Sequence, residues 1–144
     1  MKISIQSILF TALIILFGTV QAETSQKIGD YVVHYNALST ESLPPSVASA
    51  YGITRSKNRG LLNISVLKRG GGFSGVSADI KASATNLTGQ LRNLELRKIE
   101  EQNAVYYVSD FSVANRETLD FSVQVTTADG ATGNIKFRQE FFSN

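Results

Sequence analysis

The chain has 144 residues, a formal net charge of +2 and no cysteine or tryptophan. That length fits one domain with a core of its own and needs no disulfide staples. The missing Cys pair and Trp exclude a true antibody-type domain, and 14 basic residues mixed among 12 acidic ones exclude nucleic acid as a natural partner.

Lys2, an apolar run from Ile8 to Phe17 and the small-residue stretch Val20-Gln21-Ala22 predict a cleavable export signal over residues 1–22, cut between Ala22 and Glu23. The run is broken by Thr11 and followed by Gly18, whereas a spanning helix needs about 20 apolar residues, so no stable membrane insertion is expected after cleavage. With no cysteine behind the signal, lipid attachment through a thioether is chemically excluded. Residues 23–144 are then a single exported domain. A cysteine-free exported chain of this size points to the periplasm of a Gram-negative bacterium.

Strand signals follow one another through that domain. Lys27 to Ala37 is rich in β-branched and aromatic residues and reads as a first strand. Residues 44–51 hold Pro44-Pro45, with Gly52 after them, which predicts one short helical turn, expected to cross between sheets. Leu62, Ile64 and Val66 share one face of a central strand, and Arg69 to Gly75 reads as a glycine loop. Val76, Ala78, Ile80, Ala82 and Ala84 alternate cleanly with polar residues. From Leu91 to Glu101 the odd spacing before Ile99 predicts a bulge or a strand end. Val105, Tyr107, Phe111 and Val113 lie on one parity with Tyr106 and Val108 on the other, so both faces of that strand are expected to be covered. Leu119 to Thr126 and Asn134 to Phe141 alternate around the turn Ala128-Asp129-Gly130 and form a hairpin. About seven such strands predict an all-β, immunoglobulin-like antiparallel β-sandwich.

Chemistry-bearing residues are sparse. His34 is the only histidine, so neither a metal site nor a catalytic base with an orienting partner is expected, and no cofactor is implied. Glu100 and Glu101 point to opposite faces of a strand, and Asp110, Asp120 and Asp129 stand singly. Gly70-Gly71-Gly72 lacks the Lys-Ser/Thr ending of a phosphate loop, and no serine sits in a nucleophile elbow. Asn63-Ile64-Ser65 and Asn86-Leu87-Thr88 match the glycosylation sequon by chance in a chain of bacterial character. Two features remain as contacts for an anion or a partner: Arg55, Lys57 and Arg59, which share one side if that segment is extended, and Phe73 in the glycine loop. Three charge-assisted bonds of about 1.5–3 kcal/mol each set against an association cost of about 4–15 kcal/mol would hold a small anion only weakly.

The run Tyr51-Gly52-Ile53, then Arg55-Ser56-Lys57-Asn58-Arg59-Gly60-Leu61-Leu62-Asn63-Ile64-Ser65-Val66-Leu67-Lys68, preceded by Tyr31-Val32-Val33-His34-Tyr35-Asn36-Ala37, resembles an uncharacterised family of small secreted proteobacterial proteins, a domain of unknown function (family 4426). The resemblance spans the mature chain and implies a periplasmic location without an assigned activity. Together these readings lead to the expectation of a non-enzymatic periplasmic binding module that contacts a protein or envelope partner. A structural subunit of an envelope complex and a small-anion-binding protein are the alternatives.

Overall fold

Alternation of buried and exposed side chains carries ten strands and one helix in the computed structural model, which describes residues 24–70 and 72–143, the side chain of Phe73 excepted. The predicted signal and its cleavage point at Ala22 and Glu23 lie outside the described residues. In chain order the elements are β1 (Ser25–Ile28), β2 (Tyr31–Ser39), a 3-10 turn (Thr40–Ser42), α1 (Pro45–Ala50), β3 (Arg59–Arg69), β4 (Phe73–Gly75), β5 (Asp79–Asn86), β6 (Leu91–Leu94), β7 (Arg97–Glu101), β8 (Ala104–Ser112), β9 (Glu117–Thr126) and β10 (Thr132–Phe141). One antiparallel sheet runs β1-β2-β3-β8-β7 with β4 also paired to β3, and a second runs β10-β9-β5-β6. This is the two-sheet sandwich the alternation predicts.

Three strand segments differ from the sequence reading. The predicted first strand is two strands, because Gly29 takes a left-handed φ of +57° and reverses the chain so that Ile28 pairs with Tyr31. The glycine loop contains β4, which folds back so that Gly75 sits opposite Leu67, and the next strand starts at Asp79 rather than Val76. The segment from Leu91 to Glu101 is divided between the sheets: β6 pairs with β5, and β7 with β8. The irregular spacing before Ile99 thus marks a switch of sheet.

The core between the sheets is built from Val33, Leu62, Ile64 and Val66 on one side and Leu119, Phe121, Val123, Val125 and Ile135 on the other, all at most 1% exposed. Each is worth roughly 1.5–3 kcal/mol of transfer free energy. Phe121 stacks on Phe137 with ring centres 4.8 Å apart, and Phe111 meets Phe141 edge to face at 5.8 Å. Gly60 is fixed by this cluster, since a Cβ there would lie 2.5 Å from a Phe111 ring carbon and 2.9 Å from Phe141.

Helix α1 does not cross between sheets. It joins β2 to β3, which are neighbours in one sheet, and lies on that sheet's outer face. There Leu43, Val47, Ala48, Tyr51 and Ile53 cover Leu61, Ala104, Tyr106 and Val108, a second apolar cluster. The helix is too short to persist alone, so this packing holds it. It also explains why β8 is apolar on both parities.

Candidate functional site

Strand ends gather at two opposite ends of the sandwich. At one end lie the close of β2, the start of β3, the close of β8 and the start of β9, as the register pairs Ser39–Gly60 and Arg59–Ser112 show. The close of β5, the start of β6 and the close of β10 join them through Thr85–Leu91, Asn86–Leu119 and Glu117–Phe141. This loop end therefore carries residues 52–58, 87–90, 113–116 and the tail after Phe141.

The basic segment belongs to this end but is not extended. The Arg59 N–H donates to the Ser56 carbonyl at 3.2 Å, closing a turn over Lys57 and Asn58. Thr40, fully buried, bolts the segment down: its hydroxyl accepts from the Ser56 N–H at 2.9 Å and donates to the Ser56 carbonyl at 3.0 Å. Arg55 donates to the Glu41 carbonyl at 3.0 Å, and Arg59 donates through Nε and Nη2 to Asp110. Among the described residues Lys57 is thus the member of the trio with neither an ion pair nor a side-chain hydrogen bond. The structure does not assemble Arg55, Lys57 and Arg59 into one anion clamp. Phe73 lies in β4 near the opposite end, so it and the basic segment do not form one surface.

What the loop end does assemble is apolar. Leu87 is 68% exposed, Leu91 63% and Phe142 59%, and these are the exposed large hydrophobic residues among those described. All three sit at this end. Leu87 is held outward by a bonded loop: Asn86 Oδ1 accepts from the Thr88 N–H, the Thr88 hydroxyl and the Gln90 N–H at 2.8–3.1 Å, and Gly89 takes a left-handed φ of +87°. An apolar side chain displayed on a pre-ordered loop loses little freedom when it docks.

Beside these residues an open cleft of about 520 Å³ is lined by Arg92, Phe111, Ser112, Val113, Ala114 and Glu117. Arg92 on β6 bridges the sheets there, giving two bonds to Glu117 at 3.0 and 3.1 Å and one to the Ser112 carbonyl at 2.6 Å. Arg116 adds an exposed cation on a residue with φ +60°. The sequence reading missed Leu87, Leu91 and Phe142. The available signal was an apolar residue inside turn chemistry, in Asn86-Leu87-Thr88-Gly89, and a second phenylalanine after Phe141 on the wrong parity for the core.

A separate polar site holds the hydroxyl of Tyr51, which donates to Glu101 Oε1 at 3.0 Å, while Arg97 donates to the Tyr51 carbonyl at 3.0 Å. Burial and the bond to Glu101 raise the Tyr51 pKa well above the usual phenol range. Tyr106 is raised in the same direction, by burial first and by the Glu101 charge second. Among the described residues no three of His, Cys, Asp or Glu come together as a metal site, and no helix is long and apolar enough to cross a membrane.

The family model for Domain of unknown function (DUF4426) matches residues 25–144. A crystal structure of a DUF4426 family protein from Pseudomonas aeruginosa is 36% identical and superposes with a TM-score of 0.72, covering 85% of this chain and 96% of that one. At 10% identity the fold is also similar to a copper-bound variant of FetP from uropathogenic Escherichia coli, with a TM-score of 0.55 over 83% of this chain and 95% of that one. FetP expressed in the periplasm of Escherichia coli compares at 12% identity and a TM-score of 0.51, over 83% and 92% of the two chains. No curated protein matches the sequence.

Proposed function

The chain belongs to the DUF4426 family, and we propose that it is an exported, non-enzymatic module of the bacterial envelope that docks a partner protein on its loop end. The observation that carries this reading is the confinement of Leu87, Leu91 and Phe142 to one end of the sandwich. Exposed apolar residues scattered singly carry no meaning, whereas a group on one surface marks a contact. The cleft beside them offers Phe111 and Val113 as a floor for a partner's apolar side chain, with the Arg92–Glu117 pair on its polar rim. Location in the periplasm is part of the proposal and rests on the signal-like first 22 residues.

The anion-binding alternative has weaker support. Arg59 and Arg92 already hold Asp110 and Glu117, and the Arg55 guanidinium is turned to a backbone carbonyl. Copper, which the FetP variant binds, does not suit this chain: it has one histidine and no cysteine, and its described carboxylates do not gather around that histidine.

A photo-crosslinking residue placed at Leu87 or Phe142, and as a control at Asp129 on the opposite end, tests the docking surface in the native host. The expected result is one dominant envelope protein captured from the first two positions and not from the third. Equal capture from all three, or none from Leu87 and Phe142, would end the proposal.

A further inference from the structure

Asn63 lies in the middle of β3, a strand paired on both sides, with Asn36 of β2 opposite it on one side and Val108 of β8 on the other. Leu62 and Ile64 point into the sandwich, so Asn63 faces the outer surface with Leu61. It is only 6% exposed, yet its side-chain amide makes no hydrogen bond to any described residue. Because no enclosed side-chain nitrogen or oxygen lacks a partner among the described residues, the amide opens onto that outer face. A β-branched or aromatic residue suits such a position far better. A crowded amide without a protein partner lowers stability, and fold alone gives no reason for it.

Asn63 belongs to a block of four. His34 lies opposite Ser65 one same-face step further along the two strands, next to the Asn36–Asn63 pair. The flanking same-face pairs are Val32–Leu67 and Leu38–Leu61, and β8 contributes Val108 and Tyr106 opposite Asn63 and Ser65. One strand further out on the same face, β1 places Lys27 opposite Val32 and β7 places Arg97 opposite Val108, the latter donating to the Tyr51 carbonyl. The cluster under α1 borders the block through Leu38, Leu61, Tyr106 and Val108.

We propose that His34, Asn36, Asn63 and Ser65 form a binding site for one ring of a neutral glycan. Adjacent strands are about 5 Å apart and same-face residues along a strand about 7 Å apart, so the four positions frame an area the size of a pyranose ring. Amides and a hydroxyl both donate and accept, as sugar hydroxyls do. The four frame residues include no Lys or Arg, and of the two cations outside the frame Arg97 is already bonded to the Tyr51 carbonyl. An extended peptide would need an open strand edge, and both edges of β3 are paired. This site lies on the outer sheet face and is independent of the docking surface at the loop end.

The protein purified from its host is applied to an array of uncharged hexose and N-acetylhexosamine oligosaccharides, and the best array ligand is titrated by calorimetry. Retention on at least one neutral glycan is expected. Asn63→Leu should weaken binding at least tenfold while raising Tm by roughly 3 °C, as an unpartnered amide is replaced by an apolar side chain among Leu61, Leu67 and Val108. Asn36→Ala, at a half-exposed position, should weaken binding similarly with little change in Tm, and Leu87→Ser should leave binding unchanged. Retention of no neutral glycan, unchanged affinity in Asn63→Leu or Asn36→Ala, or a fall in Tm of Asn63→Leu with Asn36→Ala still binding would overturn the proposal.

Discussion

The two ends of the sandwich are made differently. At the hairpin end, connections are short and the turns are closed locally: Gly29 reverses β1 into β2, and between β9 and β10 the Thr127 hydroxyl donates to Asp129 while Ala131 N–H donates back to Thr127 Oγ1, with backbone bonds from Arg69 N–H to Asp30 and Gly75 N–H to Asn103 beside them. At the loop end, bonds reach across the chain. Thr40 holds Ser56, Val113 N–H donates to the Asn58 carbonyl, and Arg92 reaches Glu117 and Ser112. Local turns close one end with polar residues. The other is tied together by long-range contacts, and it carries the outward-facing Leu87, Leu91 and Phe142, Leu87 being turned out by its own Asn86 loop. A surface ordered by distant parts of the chain is one that single substitutions can dismantle without touching a turn.

The largest effect should come from Gly60→Val, which forces a side chain into the Phe111 and Phe141 rings beneath the loop end. About 3 kcal/mol of destabilisation is expected, read as a lower urea midpoint. A loss below about 1 kcal/mol would mean that the aromatic cluster can shift to make room. Next comes Thr40→Val, similar in shape, which removes both bonds to Ser56, leaving its half-buried N–H without that partner while its carbonyl keeps the Arg59 N–H. About 2 kcal/mol is expected, together with faster hydrogen exchange at residues 54–58 and unchanged exchange in the β9–β10 turn. Uniform protection changes would show that the two ends are not separately organised.

Legibility in the sequence followed the same division. The β9–β10 hairpin could be read from residues alone, because Leu119, Phe121, Val123 and Val125 alternate strictly and Asp129-Gly130 supplies the turn. The β1–β2 turn was missed although its signal, Gly29-Asp30, is equally local; the apolar residues on both sides outweighed it. The place of α1 is not readable, since its partners Ala104, Tyr106 and Val108 come from a strand far along the chain. Nor is the docking surface, whose assembly depends on three strand registers at once: Asn86 against Leu119, Glu117 against Phe141 and Arg59 against Ser112. Arg55, Lys57 and Arg59 look like a clamp in the sequence because it cannot show that Asp110, five strands on in chain order but on the neighbouring strand of the sheet, takes Arg59.

A smaller effect should separate the ends by pH. Tyr51 belongs to the connection that leaves the loop end, but its hydroxyl reaches Glu101 beside the β7–β8 turn, so it ties the two ends together across the outer face. A phenol pKa raised by folding keeps its proton in the native state, so its stabilisation is whole below the unfolded value of about 10 and is lost as pH rises beyond it. Tyr51→Phe should cost about 1 kcal/mol at neutral pH through the lost bond, and its stability should fall less steeply than that of the parent above about pH 10. Parallel alkaline curves for the two proteins would show that the Tyr51–Glu101 tie does not control alkaline unfolding.

The smallest effect belongs to the hairpin end. The Thr127 hydroxyl donating to Asp129, with further help from the Ala131 N–H and the Lys68 charge, holds the Asp129 carboxyl below the usual carboxylate range. A lowered carboxylate pKa stabilises the fold above the unfolded value of about 3.9, and the contribution disappears as pH falls through the native value. Asp129→Asn should therefore be slightly less stable than the parent at pH 7, with the gap closing as the solution is acidified below about pH 4. Because Asp129 is exposed and its one partner from outside the turn is the Lys68 charge at the same end, hydrogen exchange at residues 54–58 and 87–90 should not change. A change there would mean that the turn and the docking loops move as one unit, and the distinction between locally and remotely ordered ends would fail at its most sensitive point.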